Sequence, residues 1–140
     1  MDEGFEMTPA EFIVRYQKET VDYDKAFGPQ CVDLFRQYCH DMGIPHTGAV
    51  EGAKDLWFRF IDNDEKLYFN RFNAMQAKHG DVLVEDGTPS NRYGHVSIVV
   101  CPLPDGENVL VFQQNGITKK GCEFAIRNLK RALGVLRRKP

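Results

Sequence analysis

Apolar positions change period once along the chain. In the first half they recur at helical spacing, and after Gly80 they fall in short unbroken runs separated by turn formers. "TPAEF" opens a helix: Thr8 is the expected N-cap, Pro9 its first residue and Glu11 the partner in a capping box, with the helix running to about Lys18. "VDYDKAFGP" reads as a loop. Cys31, Leu34, Phe35, Tyr38, Cys39 and Met42 then trace one face of a second helix, which Gly43 terminates. Ala53, Leu56, Trp57 and Phe60 suggest a further short helix.

The second half predicts strands. "DVLVE", "HVSIVVC", "NVLVFQQ", "CEFAI" and "ALGVLR" are rich in Val, Ile, Leu and Phe, with "PLPDGEN" as a turn between two of them. Helices followed by consecutive strands imply an α+β fold with N-terminal helices packed on an antiparallel β-sheet. With 140 residues and no internal repeat or linker, residues 1–140 form a single domain.

Charge and composition narrow the partners. A net charge of −2 excludes a basic field for nucleic acid, and Arg137-Arg138-Lys139 reads as a solvated tail. The acidic start, "MDEGFEMTPAEF", carries no secretory or membrane-spanning pattern, so the expectation is synthesis in the cytosol without a signal peptide and no membrane partner. Cys31, Cys39, Cys101 and Cys122 lack paired spacing and are expected as free thiols. Adjacent Cys39 and His40 diverge around a helix and match no zinc spacing, so Cys39, Cys101 and Cys122 are assigned to packing. His40, His46 and His79 are read as surface residues.

The stretch "FGPQCVDLF" carries the candidate chemistry. Cys31 stands where a helix begins, after a proline that fixes the entry. There the helix dipole favours thiolate, and free amides, its own included, can face an oxyanion. The Gln30 side chain is a second candidate donor. A buried core cysteine satisfies the same pattern. His95, in "RYGHVSIVV", opens a strand after a glycine, where it can face a cleft. "VFQQNG" ends the next strand with Gln113, Gln114 and Asn115, and in an antiparallel pair one of these amides can orient the imidazole.

At these residues the chain resembles the CHAP domain, the cysteine- and histidine-dependent amidohydrolase/peptidase family of bacteriophage lysins and bacterial wall hydrolases. The matching pieces are "YDKAFGPQCVDLFRQY", "GAKDLW", "GDVLV", "YGHVSIV" and "VFQQNG", in the family's order, over roughly residues 22 to 116; "RALGVLR" resembles its closing strand. The resemblance implies a small papain-like α+β fold and hydrolysis of an amide bond in peptidoglycan, by an endopeptidase or an N-acetylmuramoyl-L-alanine amidase. It implies Cys31 as nucleophile through an acyl-enzyme, with His95 as base and then acid. Gln113 stands where many members carry a glutamate that orients the histidine, and Asn115 matches a nearby asparagine. Glutamine can orient the ring but cannot stabilise imidazolium by charge. "PQCVD" departs from NlpC-type peptidases, which usually have aspartate before the cysteine and serine after it.

Some members of the family bind calcium just before the nucleophile. Here the ligands would be the carboxylates of Asp22, Asp24 and Asp33 with the carbonyls of Ala26 and Gly28, a set of hard oxygens suited to that ion once waters complete it. No organic cofactor is expected. The expected partner is bacterial peptidoglycan, with wall targeting supplied by a separate subunit or domain. The enzyme would act after release from the host cytoplasm, or be carried in the virion. The alternative is a non-catalytic wall- or calcium-binding module that keeps the fold.

Overall fold

The computed structural model describes residues 6–23, 30–45, 50–114 and 121–140. Four helices, α1 (Pro9–Tyr16), α2 (Cys31–Asp41), α3 (Asp55–Phe58) and α4 (Glu65–Tyr68), precede or flank six strands: β1 (Phe69–Phe72), β2 (Val82–Glu85), β3 (His95–Pro102), β4 (Asn108–Gln113), β5 (Glu123–Asn128) and β6 (Ala132–Arg138). The sheet is antiparallel throughout, in the order β1-β6-β2-β3-β4-β5.

The first helix is set by its cap. The Thr8 amide donates to Glu11 Oε1 (2.8 Å) and the Glu11 amide to Thr8 Oγ1 (3.2 Å), satisfying two donors that the first turn would leave free. It stops at Tyr16, two residues short of the expected Lys18, because Lys18 takes a left-handed conformation (φ 66°) that helix geometry excludes. The expected short helix over Ala53–Phe60 is split between α3 and a 3-10 turn at Phe60–Asp62.

The buried face of α2, formed by Leu34, Phe35, Tyr38 and Cys39, packs on the sheet through Val82, Val84, Val96, Ile98 and Leu136. Phe12 of α1 closes this layer. Its ring lies 4.7 Å from that of Tyr16, 5.0 Å from Tyr38 and 6.4 Å from Phe112, which ties α1 to α2 and β4. The other face of the sheet also carries a core, formed by Leu83, Val99, Val109, Val111 and Val135 with Ala74 and Ala77. Strands buried on both sides explain why these runs are continuously apolar rather than alternating.

The sheet curls. Arg127 of β5 bonds Glu85 of β2 through two contacts of 2.9 Å, although β3 and β4 separate those strands in sheet order. On a flat sheet they would lie about 14 Å apart, too far for two side chains to span comfortably. Irregular register between Val84 and Glu85, and between Val99 and Cys101, supplies the bend.

Two expectations are corrected. β1, "FNRF", follows α4 without a turn signal, so the sequence pattern hides it; pairing with β6 creates it. Arg137 and Arg138 are not a solvated tail but part of β6. Arg137 grips the buried Asp81 carboxylate through Nε (2.9 Å) and Nη2 (2.8 Å), and Arg138 pairs with Glu6. No helix among the described residues is long and apolar enough to cross a membrane.

Candidate active site

Cys31 is the first residue of α2, and Gln30 before it is extended (φ −133°, ψ 170°). The Gln30 amide donates to Asp33 Oδ2 (2.9 Å), so Asp33 caps the first turn of α2. The backbone amides of Val96 on β3, of Val32 and of Cys31 itself lie close enough to the Cys31 sulfur to favour its ionised form. Val96 follows His95, so the thiol lies near the start of β3. Burial raises the thiol pKa above its ordinary value; the three amides act against it, and the Asp33 carboxylate adds to the rise. Burial thus works against the helix dipole at this thiol.

His95 is 8% exposed. Its backbone is aimed by Gly94, which has φ +80°, and a Cβ there would strike the carbonyl oxygen of Glu85 and crowd Lys54. The Asn91 side chain holds the Gly94 carbonyl at 3.0 Å. His95 Nε2 lies 2.9 Å from Gln113 Oε1 at the end of β4. An amide oxygen only accepts, so Nε2 carries the proton and Nδ1 is left as the acceptor facing other partners. Burial lowers the imidazole pKa below its ordinary value, with the Arg127 charge next in effect; Glu85, its cross-strand partner, and the Gln113 bond act in the opposite direction.

The structure thus brings together Cys31, His95 and Gln113, with Gln30 at the helix entry. Asn115, also expected here, lies outside the described residues, as do Asp24, Ala26, Gly28 and His46. Of the expected metal ligands, Asp22 and Asp33 are described. Asp22 Oδ1 is buried without a hydrogen-bond partner, while Asp33 is in part engaged by the Gln30 amide. Among the described residues no group of three or more His, Cys, Asp or Glu is arranged to hold a metal. A cleft of about 300 Å³ between Tyr16, Asp22, Tyr23 and His40 opens beside the acidic loop, not over Cys31.

The remaining thiols are free. Cys39 and Cys122 are buried, each pushed up to about 12 chiefly by burial, as their packing assignment requires. Cys101 is exposed, which corrects its assignment to packing: it sits past the β3 irregularity, where the strand leaves the core. His40 and His79 are exposed, as expected.

Gln114 was legible only as a polar strand end. It is 1% exposed, and its amide bonds both Val21 and Gln30. Side chains alternate along a strand, so a Gln113 turned toward His95 obliges Gln114 to face the other way, and that alternation is the signal for it.

The CHAP domain model matches residues 20–115, which spans the segment before Cys31, α2 and the strands through Gln113. The chain belongs to the CHAP domain family. It is 36% identical over 115 residues to a D-alanyl-L-alanine endopeptidase of Streptococcus phage B30, covering 78% of this chain and 25% of that protein. It is 31% identical over 109 residues to the endolysin PlyTW of Staphylococcus phage Twort, covering 76% and 23%. The chain therefore spans about a quarter of the curated relatives it matches. Among solved structures, the endolysin LysIME-EF1 superposes with a TM-score of 0.73 at 22% identity, over 92% of this chain and 62% of that one. Ly7917 gives 0.67 at 18% identity, over 94% and 62%. These likenesses establish the fold, a CHAP-type α+β arrangement.

Proposed function

We propose that this domain hydrolyses an amide bond of bacterial peptidoglycan, with Cys31 as nucleophile and His95 as general base and acid. The observation that carries this reading is the His95 Nε2–Gln113 Oε1 bond, which leaves Nδ1 as the acceptor, on a histidine next in chain to Val96, whose amide lies beside the Cys31 sulfur. Relatives named as a phage endopeptidase and an endolysin point to the same substrate class.

In this mechanism the Cys31 proton passes to His95 Nδ1 as the sulfur attacks the scissile carbonyl carbon. The oxyanion is received by amides at the start of α2, that of Cys31 among them, with the Gln30 side chain as a further donor. The imidazolium then protonates the departing amine, leaving a thioester on Cys31. His95 next takes a proton from water, the hydroxide attacks the thioester, and the thiol re-forms as the acid product leaves. A neutral Gln113 suffices to orient the ring.

Calcium belongs to the same proposal. The partnerless buried oxygen of Asp22 fits a hard cation, and Asp33, with Asp24 and the carbonyls of Ala26 and Gly28, would complete the set. When bound, the ion would neutralise the carboxylates of the loop that leads into Cys31. Targeting of the wall by a separate domain or subunit, and action after release from the host cytoplasm or from the virion, belong to the same reading, which the endolysin relative supports.

Digestion of purified walls, with mass spectrometry of the fragments, identifies the bond cut. Cys31→Ala is expected to abolish lysis while its circular dichroism stays unchanged, and His95→Ala likewise. Full lysis by a folded Cys31→Ala protein would leave the non-catalytic module as the reading.

A further inference from the structure

Gln114 makes an unusual set of contacts for a residue that does not touch the thiol. Its Oε1 accepts the Val21 amide at 2.7 Å and lies 3.7 Å from the Cys122 sulfur, which donates to it. Its Nε2 donates to the Val21 carbonyl at 2.7 Å and to the Gln30 carbonyl at 2.9 Å. Both donors and both acceptor sites of the amide are thereby used, in a position 1% exposed. One nitrogen holds the residues on either side of segment 22–29, drawing its two ends together, and Gln30 is the residue directly before Cys31.

The neighbouring residue does the matching task for the base, since Gln113 Oε1 holds His95 Nε2 at 2.9 Å. Two consecutive glutamines, facing opposite ways from the end of β4, thus hold the histidine and the entry to the nucleophile helix. Their spacing is fixed by one peptide unit, the stiffest ruler the chain offers.

We propose that Gln114 is a positioning residue for the reaction: by clamping Val21 and Gln30 with one side-chain amide, it sets where Cys31 stands relative to the His95 held by Gln113. This rests on Cys31 being the nucleophile. The clamp contributes registration rather than binding, because none of its contacts reaches toward substrate. Its loss is felt in the turnover step, where small displacements of a reacting atom are costly.

The test uses the full chain in calcium-containing buffer at fixed pH. Gln114→Glu keeps the shape and the acceptor for the Val21 amide but removes both donors. Gln114→Asn keeps the amide but is one methylene short, so it reaches only one end of the segment. Both are expected to lower kcat for wall lysis by about tenfold to a hundredfold with KM within about twofold. The alkylation rate of Cys31 by iodoacetamide, read by peptide mass spectrometry, should change in both variants, while that of the exposed Cys101 stays the same. Asn should lose less than Glu. Folded variants with wild-type kcat and wild-type Cys31 alkylation overturn the assignment, as does a loss confined to KM. If neither variant folds, Gln114 is a core support and the proposal also fails. Cys31→Ala run alongside separates the two levels: lysis by that variant defeats the nucleophile itself, whereas a dead Cys31→Ala with fully active Gln114 variants defeats the clamp alone.

Discussion

His95 is held by Gln113, Nε2 to Oε1 at 2.9 Å, in a pocket that lowers the imidazole pKa below its ordinary 6.5. As the proposed base, His95 works only while neutral, so activity is expected to fall as pH drops through its pKa, with burial moving that acid limb below the ordinary histidine range. Gln113→Glu sets a carboxylate against the ring, favours imidazolium and raises the pKa. The acid limb is then expected to move up by about one pH unit, measured from lysis rate against pH. Gln113→Ala should instead lower the plateau, since the ring loses its orientation. An acid limb unmoved by the first change, with a plateau unmoved by the second, would transfer the orienting role to Asn115.

Gly94 aims the same histidine from the other side. Its φ of +80° is strained for any residue with a Cβ, and that Cβ would meet the Glu85 carbonyl. Gly94→Ala is expected to displace His95, lowering kcat by about tenfold or more while binding to walls persists. Wild-type turnover in this variant would show that β2 and the 88–94 turn yield without moving the imidazole.

The sequence made helices α1 and α2 and five of the six strands legible, because each is bounded by caps or turn residues and carries its own apolar period. β1 escaped because "FNRF" becomes a strand only through β6. The Glu85–Arg127 and Asp81–Arg137 pairs escaped for a related reason. Charges far apart in sequence meet only once the sheet curls, and local pattern gives no register between distant strands. At the site, Cys31, His95 and Gln113 were legible as residue types in context. The surroundings of the thiol were not, since the helix-start position argued for thiolate and only the packing reveals that burial acts against it. Gln114 was visible as a polar strand end, yet its partners, Val21 and Gln30, lie 93 and 84 residues away.

Arg137 gives a stability test of the corrected C-terminal strand. Its fork meets an Asp81 side chain only 3% exposed and also reaches the Gln76 carbonyl at 2.9 Å. Arg137→Ala strands the carboxylate and is expected to cost about 2–3 kcal/mol, somewhat below a fully buried pair because the arginine is itself 25% exposed. Arg137→Lys should recover only part of this, since an ammonium cannot match the two-pronged geometry. Arg59→Ala, whose partner Asp62 is 66% exposed, should change little. Denaturant melts compare all three; equal stability of wild type and Arg137→Ala would return this segment to the status of a solvated tail.

Calcium dependence is the expectation for the segment between Val21 and Gln30, the two residues that Gln114 bonds. Asp22 lies next to the clamped Val21 and has a buried oxygen with no partner, and Asp33 sits in the first turn of α2, two residues after Cys31. An oxygen desolvated without a donor is costly, and a cation shared with Asp24 and Asp33 would remove that cost. Chelation with EGTA is therefore expected to lower the melting temperature and the lytic rate together. Calcium should restore both, and magnesium should restore neither, because its octahedral demand fits an irregular set of loop oxygens poorly. The stabilisation should grow with the logarithm of calcium concentration above the dissociation constant, about 2.7 kcal/mol at a hundredfold excess over it. Asp22→Asn keeps the volume but weakens the ligand, so it should shift the calcium requirement to higher concentration while leaving the saturated rate near wild type. Isothermal titration reads the binding directly. A chelated sample that lyses walls at full rate and takes up no calcium would mean that Asp22 is satisfied by water and that the segment before Cys31 needs no ion.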